Sequence, residues 1–135
     1  MSAASDYLEN KLLDHVLTST GYASPNASLY LALFTSDGGL ENNTAGSQTE
    51  ITTSGSAYAR QTIAFASASS GSSANSGTVT FSAATANWGT VSHVAIMDAS
   101  TSGNVLFHGA VTTSKTIETG DTFQVSASNL TISLA

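Results

Sequence analysis

His15, His93 and His108 are the side chains best suited to bind a metal or move a proton near neutral pH. His93 and His108 fall on two segments that read as paired strands, so they are candidates for one site. A metal centre needs at least a third ligand, and the nearest acid in sequence, Asp98, lies at the far end of the same hairpin. The favoured reading is two half-buried strand histidines hydrogen-bonded to hydroxyl neighbours. Ser, His and Asp are all present for a hydrolytic triad. In a chain where Ser and Thr are roughly a third of the residues, that inventory says little. No Gly-x-Ser-x-Gly elbow positions a nucleophile, and no two of the nine acids stand out as a glycosidase pair. Asp37, Glu41 and Glu50 share one long loop and offer oxygen ligands for calcium, but their spacing fits no calcium loop. Neither Asp37–Gly39 nor Ser69–Ser73 has the lysine and following helix of a phosphate loop. Asn26, Asn42 and Asn129 begin glycosylation-type triplets, which read as chance matches in so hydroxyl-rich a chain. Trp88 and Tyr58 could stack on a sugar, although a Trp-Gly pair at a strand entrance reads first as a core corner. No catalytic residue, cofactor or metal ligand is assigned, and the expectation is a protein that is not an enzyme.

Composition narrows the partners. The chain has 135 residues, enough for one domain with a real core. It is 41% hydrophobic but only 9% charged, and its net charge is -6. Lys11, Arg60 and Lys115 are all of its basic residues. Phosphate neutralisation needs a cationic footprint, so nucleic acid is excluded as a partner, and anionic membrane surfaces are disfavoured for the same reason. No apolar run approaches the roughly 20 residues of a membrane span. Met1–Asp6 carries neither a basic nor an apolar leader region, which predicts a protein made and folded in a cytoplasm. Without cysteine, disulfides contribute nothing to stability. A polar surface built from hydroxyls and amides resists association less well than a charged one, which points to an oligomer or a docked subunit.

The elements that position these residues are mainly strands. Trp88–Asp98 is a nearly continuous apolar and β-branched run, read as a central strand covered on both faces. Val94 and Ile96 are expected on one face, and Val91, His93, Ala95 and Met97 on the other. A turn over Ser100–Asn104 returns the chain through Val105–His108, continued by Gly109–Thr113 and then Lys115–Ile117. Leu29–Thr35 reads as a buried strand after a turn at Ser24–Asn26. Ala57–Phe65, Thr78–Phe81, Phe123–Ala127 and Leu130–Leu134 read as shorter strands. Ala66–Gly77 reads as a turn-like stretch. One helix is expected over residues 5–18, capped by Ser5, with Asp6 and Glu9 in its first turn. Leu8, Leu12, Leu13, Val16 and Leu17 form its apolar stripe. So short a helix must pack on its own sheet or on a neighbouring subunit. The long loop 36–56 is expected to be an exposed functional loop or an arm ordered by a partner. Together these give a mainly β fold: an antiparallel β-sandwich, jelly-roll or Ig-like, with one N-terminal helix, in a single domain spanning 1–135.

Six blocks of this chain resemble a family of small tailed-bacteriophage virion proteins: Tyr7–His15, Leu29–Ser36, Tyr58–Gln61, Trp88–His93, Leu106–Gly109 and Gly120–Phe123. Loop 36–56 departs from the pattern. The resemblance implies a non-enzymatic virion structural role, of the capsid decoration, head fibre or minor tail type. The leading expectation is a capsid decoration (cement) protein. It would bind the major capsid protein and copies of itself, as a homotrimer. A tail or fibre module and a host-glycan-binding domain using Trp88 and Tyr58 are the alternatives. The helix and loop 36–56 are the expected contact surfaces, with Tyr7, Lys11, Glu41, Asn42 and Asn43 as partner-contact candidates.

Overall fold

The computed structural model describes residues 3–22, 28–44 and 46–134. The expected turn at Ser24–Asn26 lies outside them. Strand β1 (Ala3–Ala4) leads into helix α1 (Asp6–Leu17), followed by β2 (Leu29–Phe34), β3 (Gln61–Ile63), β4 (Ser72–Ala74) and β5 (Val79–Thr80). Then come β6 (Gly89–Met97), β7 (Val105–Ile117), β8 (Gln124–Val125) and β9 (Thr131–Ser133). A five-stranded antiparallel sheet has the order β1-β7-β6-β2-β3, and two small sheets pair β4 with β9 and β5 with β8. The fold is mainly β and sandwich-like with one N-terminal helix, as expected.

β6 holds the centre of the large sheet because both its faces are apolar. On one face Leu31, Leu33, Ile63, Val91 and Ile96 pack with Val79, Phe81, Trp88, Ile117 and Phe123. On the other, Ala32, Phe34, Ala95, Met97 and Val105 pack with Leu40. The expected assignment of Val91 to the second face is corrected. The β6–β7 register jumps between Val91 and His93, with Val91 opposite Lys115 but His93 opposite Ala110. The irregularity resets the alternation, so Val91 joins Ile96 in the larger core. Thr112–Ser114 bulge outward as an exposed part of β7.

Loop 36–56, expected as an exposed functional loop or an arm ordered by a partner, is mostly exposed yet folds as a layer against the sheet. Leu40 and Ile51 are fully or almost fully buried, and Glu50 bridges to Phe34 as an added rung beside β2. Two apolar side chains among small polar residues anchor the loop, a pattern too sparse to register as periodicity. The strand expected over Ala57–Phe65 shortens to β3. The turn-like 66–77 stretch contains β4, whose small residues pair with the C-terminal β9.

Candidate docking surface

The residues that could do chemistry are mostly structural. His93 Nδ1 lies 2.8 Å from Ser92 Oγ, and His108 Nε2 lies 2.7 Å from Glu41 Oε2. The two histidines therefore serve different neighbours: His93 has the hydroxyl partner expected of both, whereas the expectation for His108 is corrected, since it pairs with a carboxylate. Among the described residues, the set of three ligand-type side chains close enough to share an ion is Asp6, Glu9 and Glu41. It lies beside the start of α1, where negative charge complements the helix dipole. Trp88 is 5% exposed and donates its indole N–H to the Ser56 carbonyl at 2.8 Å. Tyr58 stacks on Phe81 and meets Trp88 edge-on. Neither ring has a free face for a sugar, so the core-corner reading holds and the glycan-stacking role expected of this pair is corrected.

Glu50 and Arg60 form a clamp that ties loop 36–56 to the β6–β7 turn. Arg60 Nε and Nη2 donate to the two Glu50 carboxylate oxygens, each at 2.8 Å. Its Nη1 donates to the carbonyls of Ala99 and Ser102 at 2.8 and 2.7 Å. Tyr58 donates to Glu50 Oε1 at 2.7 Å and accepts from the Leu33 amide at 3.0 Å. Burial, with the nearby Glu50 charge, pushes the Tyr58 phenol well above its ordinary value. For Arg60 burial acts to lower the pKa, but the Glu50 hydrogen bond and charge outweigh it and the net shift is upward. A second polar node closes the β6–β7 turn. Asp98 accepts from the Asn104 amide at 2.7 Å, Asn43 Nδ2 donates to Asn104 Oδ1 at 2.8 Å, and Asn43 Oδ1 accepts from the Val105 amide at 2.8 Å. Gly103 has φ +75°, and a Cβ there would lie 2.5 Å from the Asp98 carboxylate, so the turn requires glycine.

The five contact candidates therefore divide. Asn43 is spent inside the molecule, and Glu41 pairs with His108 while its carbonyl accepts from the Asp6 amide at 2.9 Å. Asn42 is exposed on the folded loop. Tyr7 and Lys11 stand together on α1, with the Lys11 ammonium 5.8 Å from the ring centroid.

α1 carries the feature that packing inside the chain does not explain. Ser5 caps it, accepting from the Leu8 amide at 3.3 Å and donating its hydroxyl to the Val105 carbonyl. The Ser5 amide donates to the Leu106 carbonyl at 2.9 Å. This end is locked to the sheet and Leu8 is buried there. Beyond it the stripe leaves the sheet. Leu12 is half-buried, whereas Leu13, Val16 and Leu17 are 55%, 74% and 73% exposed. On the sheet side of the helix, walled by Leu8 and Leu12, runs a groove of about 380 Å³. Its walls include Leu8, Leu12, Phe65, Leu106, Ile132 and Leu134, and Leu134 is itself 56% exposed. The helical stripe was legible in the sequence. The groove was not, because its walls come from seven separated segments; the only local signal was the apolar alternation ending at Leu134.

A family model described as "Podophage GP4 fiber I protein gp80" matches residues 3–133. With nearly the whole chain matched, this protein belongs to that family of phage virion structural proteins. No curated protein matches the chain. No helix among the described residues is long and apolar enough to cross a membrane.

Proposed function

We propose that this chain is a non-enzymatic structural component of a phage fibre, held in the virion through the outer face of α1 and the adjoining groove. The observation that carries the reading is the exposure of Leu13, Val16 and Leu17 on α1 and of Leu134, together with an apolar groove walled by Leu8, Leu12 and Leu134. An exposed patch of this kind, rimmed by polar residues, marks a protein interaction site. Membership of a fibre family supports placing that site in a fibre. The side chains that could have served catalysis support the structural role, since His93, His108, Glu50 and Arg60 are committed to internal hydrogen bonds.

Gold-labelled antibody against the chain, applied to intact particles, tests the assignment. Label along fibres is the expected result. Label spread evenly over the head would replace it with a capsid decoration role on the major capsid protein, and unlabelled particles would overturn a virion role altogether.

A further inference from the structure

We infer that loop 36–56 and the base of α1 open and close as one unit, coupled through Asn43, so that α1 is held in place only while the loop is closed. This goes beyond the docking reading and holds whatever α1 meets.

The backbone of Asn43 is the first argument. It sits at φ +54°, in the left-handed region that residues other than glycine enter rarely. Such a conformation persists only where the surroundings hold it. Both ends of the Asn43 amide supply that hold. Nδ2 donates to Asn104 Oδ1 and Oδ1 accepts from the Val105 amide, each at 2.8 Å. Val105 is fully buried, so its amide has no ready substitute for that bond.

Val105 is the joint between loop and helix. Asn43 of the loop holds its N–H, and the Ser5 hydroxyl at the cap of α1 holds its C=O. The same Ser5 oxygen accepts from the Leu8 amide at 3.3 Å, and the Ser5 carbonyl accepts from the Glu9 amide at 2.9 Å. A shift of Val105 is therefore passed to the first turn of α1. Leu40 of the loop also packs with Val105 in the second core. A direct link runs in parallel, from the Asp6 amide to the Glu41 carbonyl at 2.9 Å. Turns within the loop join Glu41 to Asn43: the Asn43 amide donates to the Leu40 carbonyl at 3.3 Å and the Thr44 amide to the Gly39 carbonyl at 2.9 Å. Leu8 is the one buried side chain of α1, so packing gives the helix little independent hold. Groups that share one hydrogen-bond network in this way are coupled.

Native-state hydrogen exchange on the full chain tests the coupling. As denaturant rises, the amides of Asp6, Leu8 and Glu9 should merge with those of Asn43 and Thr44 onto one opening curve, below that of the β6 amides. Asn43→Gly removes both side-chain bonds and keeps the left-handed backbone free of strain. It should speed exchange at Asp6, Leu8 and Glu9 by roughly 3- to 10-fold, the scale of one lost internal hydrogen bond. Ser5→Ala should in turn speed exchange at Asn43 and Thr44. Asn87→Ala cuts comparable bonds to Thr119, away from α1, and should leave the α1 amides within about twofold of the parent. Separate opening curves for loop and helix base, α1 amides unmoved by Asn43→Gly, or α1 amides moved equally by Asn87→Ala would each overturn the coupling. If Asn43→Gly does not fold, the parent curves decide alone. Unlabelled particles sink the fibre reading alone, and separate curves sink the coupling alone.

Discussion

The aromatic corner and the outer face of α1 are both apolar, and the chain treats them oppositely. At the corner, Tyr58, Phe81, Trp88 and Phe123 contact one another with ring centroids 5.5 to 6.3 Å apart. They are closed over by the β5–β8 sheet and by Ile117. On α1, three aliphatic side chains of one helix and Leu134 remain in solvent. Apolar patterning tells that a residue can be buried. Whether this chain supplies the cover is decided by topology, and among the described residues the outer face of α1 is left open.

The contrast breaks first, if it breaks, at the corner. Trp88→Ala removes the largest buried side chain together with its bond to Ser56 and is expected to cost about 3–5 kcal/mol in denaturant unfolding. A loss below about 1 kcal/mol would mean the corner is not a core. Arg60→Ala comes next. It strands the Glu50 carboxylate and frees the carbonyls of Ala99 and Ser102, an expected cost of about 2–4 kcal/mol. Glu50→Gln combined with Arg60→Met should recover part of it, because the pair is replaced rather than halved.

Alkali sharpens the same contrast. The Tyr58 phenol titrates well above its ordinary value when folded, so between pH 10 and that value the unfolded chain binds fewer protons than the folded one. The Tyr58 contribution is complete below about pH 10 and declines above it by up to about 1.4 kcal/mol per pH unit. Tyr58→Phe should flatten that slope, and an unchanged slope would remove Tyr58 as its source. The smallest effect belongs to the helix face. Val16→Glu should leave unfolding free energy within about 0.5 kcal/mol of the parent, because Val16 is 74% exposed.

The sequence carried the sheet centre and the helix, and failed where distant segments meet. β6 and β2 were legible as long apolar runs, and α1 as a capped stripe with its ends placed within a residue. The face of Val91 was not, because one irregularity opposite Thr112–Ser114 inverts the alternation that periodicity assumes. Leu40 and Ile51 were hidden among small polar residues, so no pattern marked them as the anchors of the loop to the sheet. The internal hydrogen bonds of Asn43 were not legible because its partners, Asn104 and Val105, lie some sixty residues away. The exposed stripe was visible in full, but its exposure could only be learned from what the sheet leaves uncovered.

The lock at Ser5 has a mechanical consequence. α1 is fixed at its base by the Ser5 bonds to Val105 and Leu106 and by the Asp6 amide on Glu41, and it extends as a cantilever of about 18 Å. Rotation of ten degrees at the base would swing Leu17 by about 3 Å over that length, more than half the distance between successive helical turns. The buried serine hydroxyl thus sets the aim of side chains it never touches, and the accuracy with which the far end meets its target is fixed at the near end.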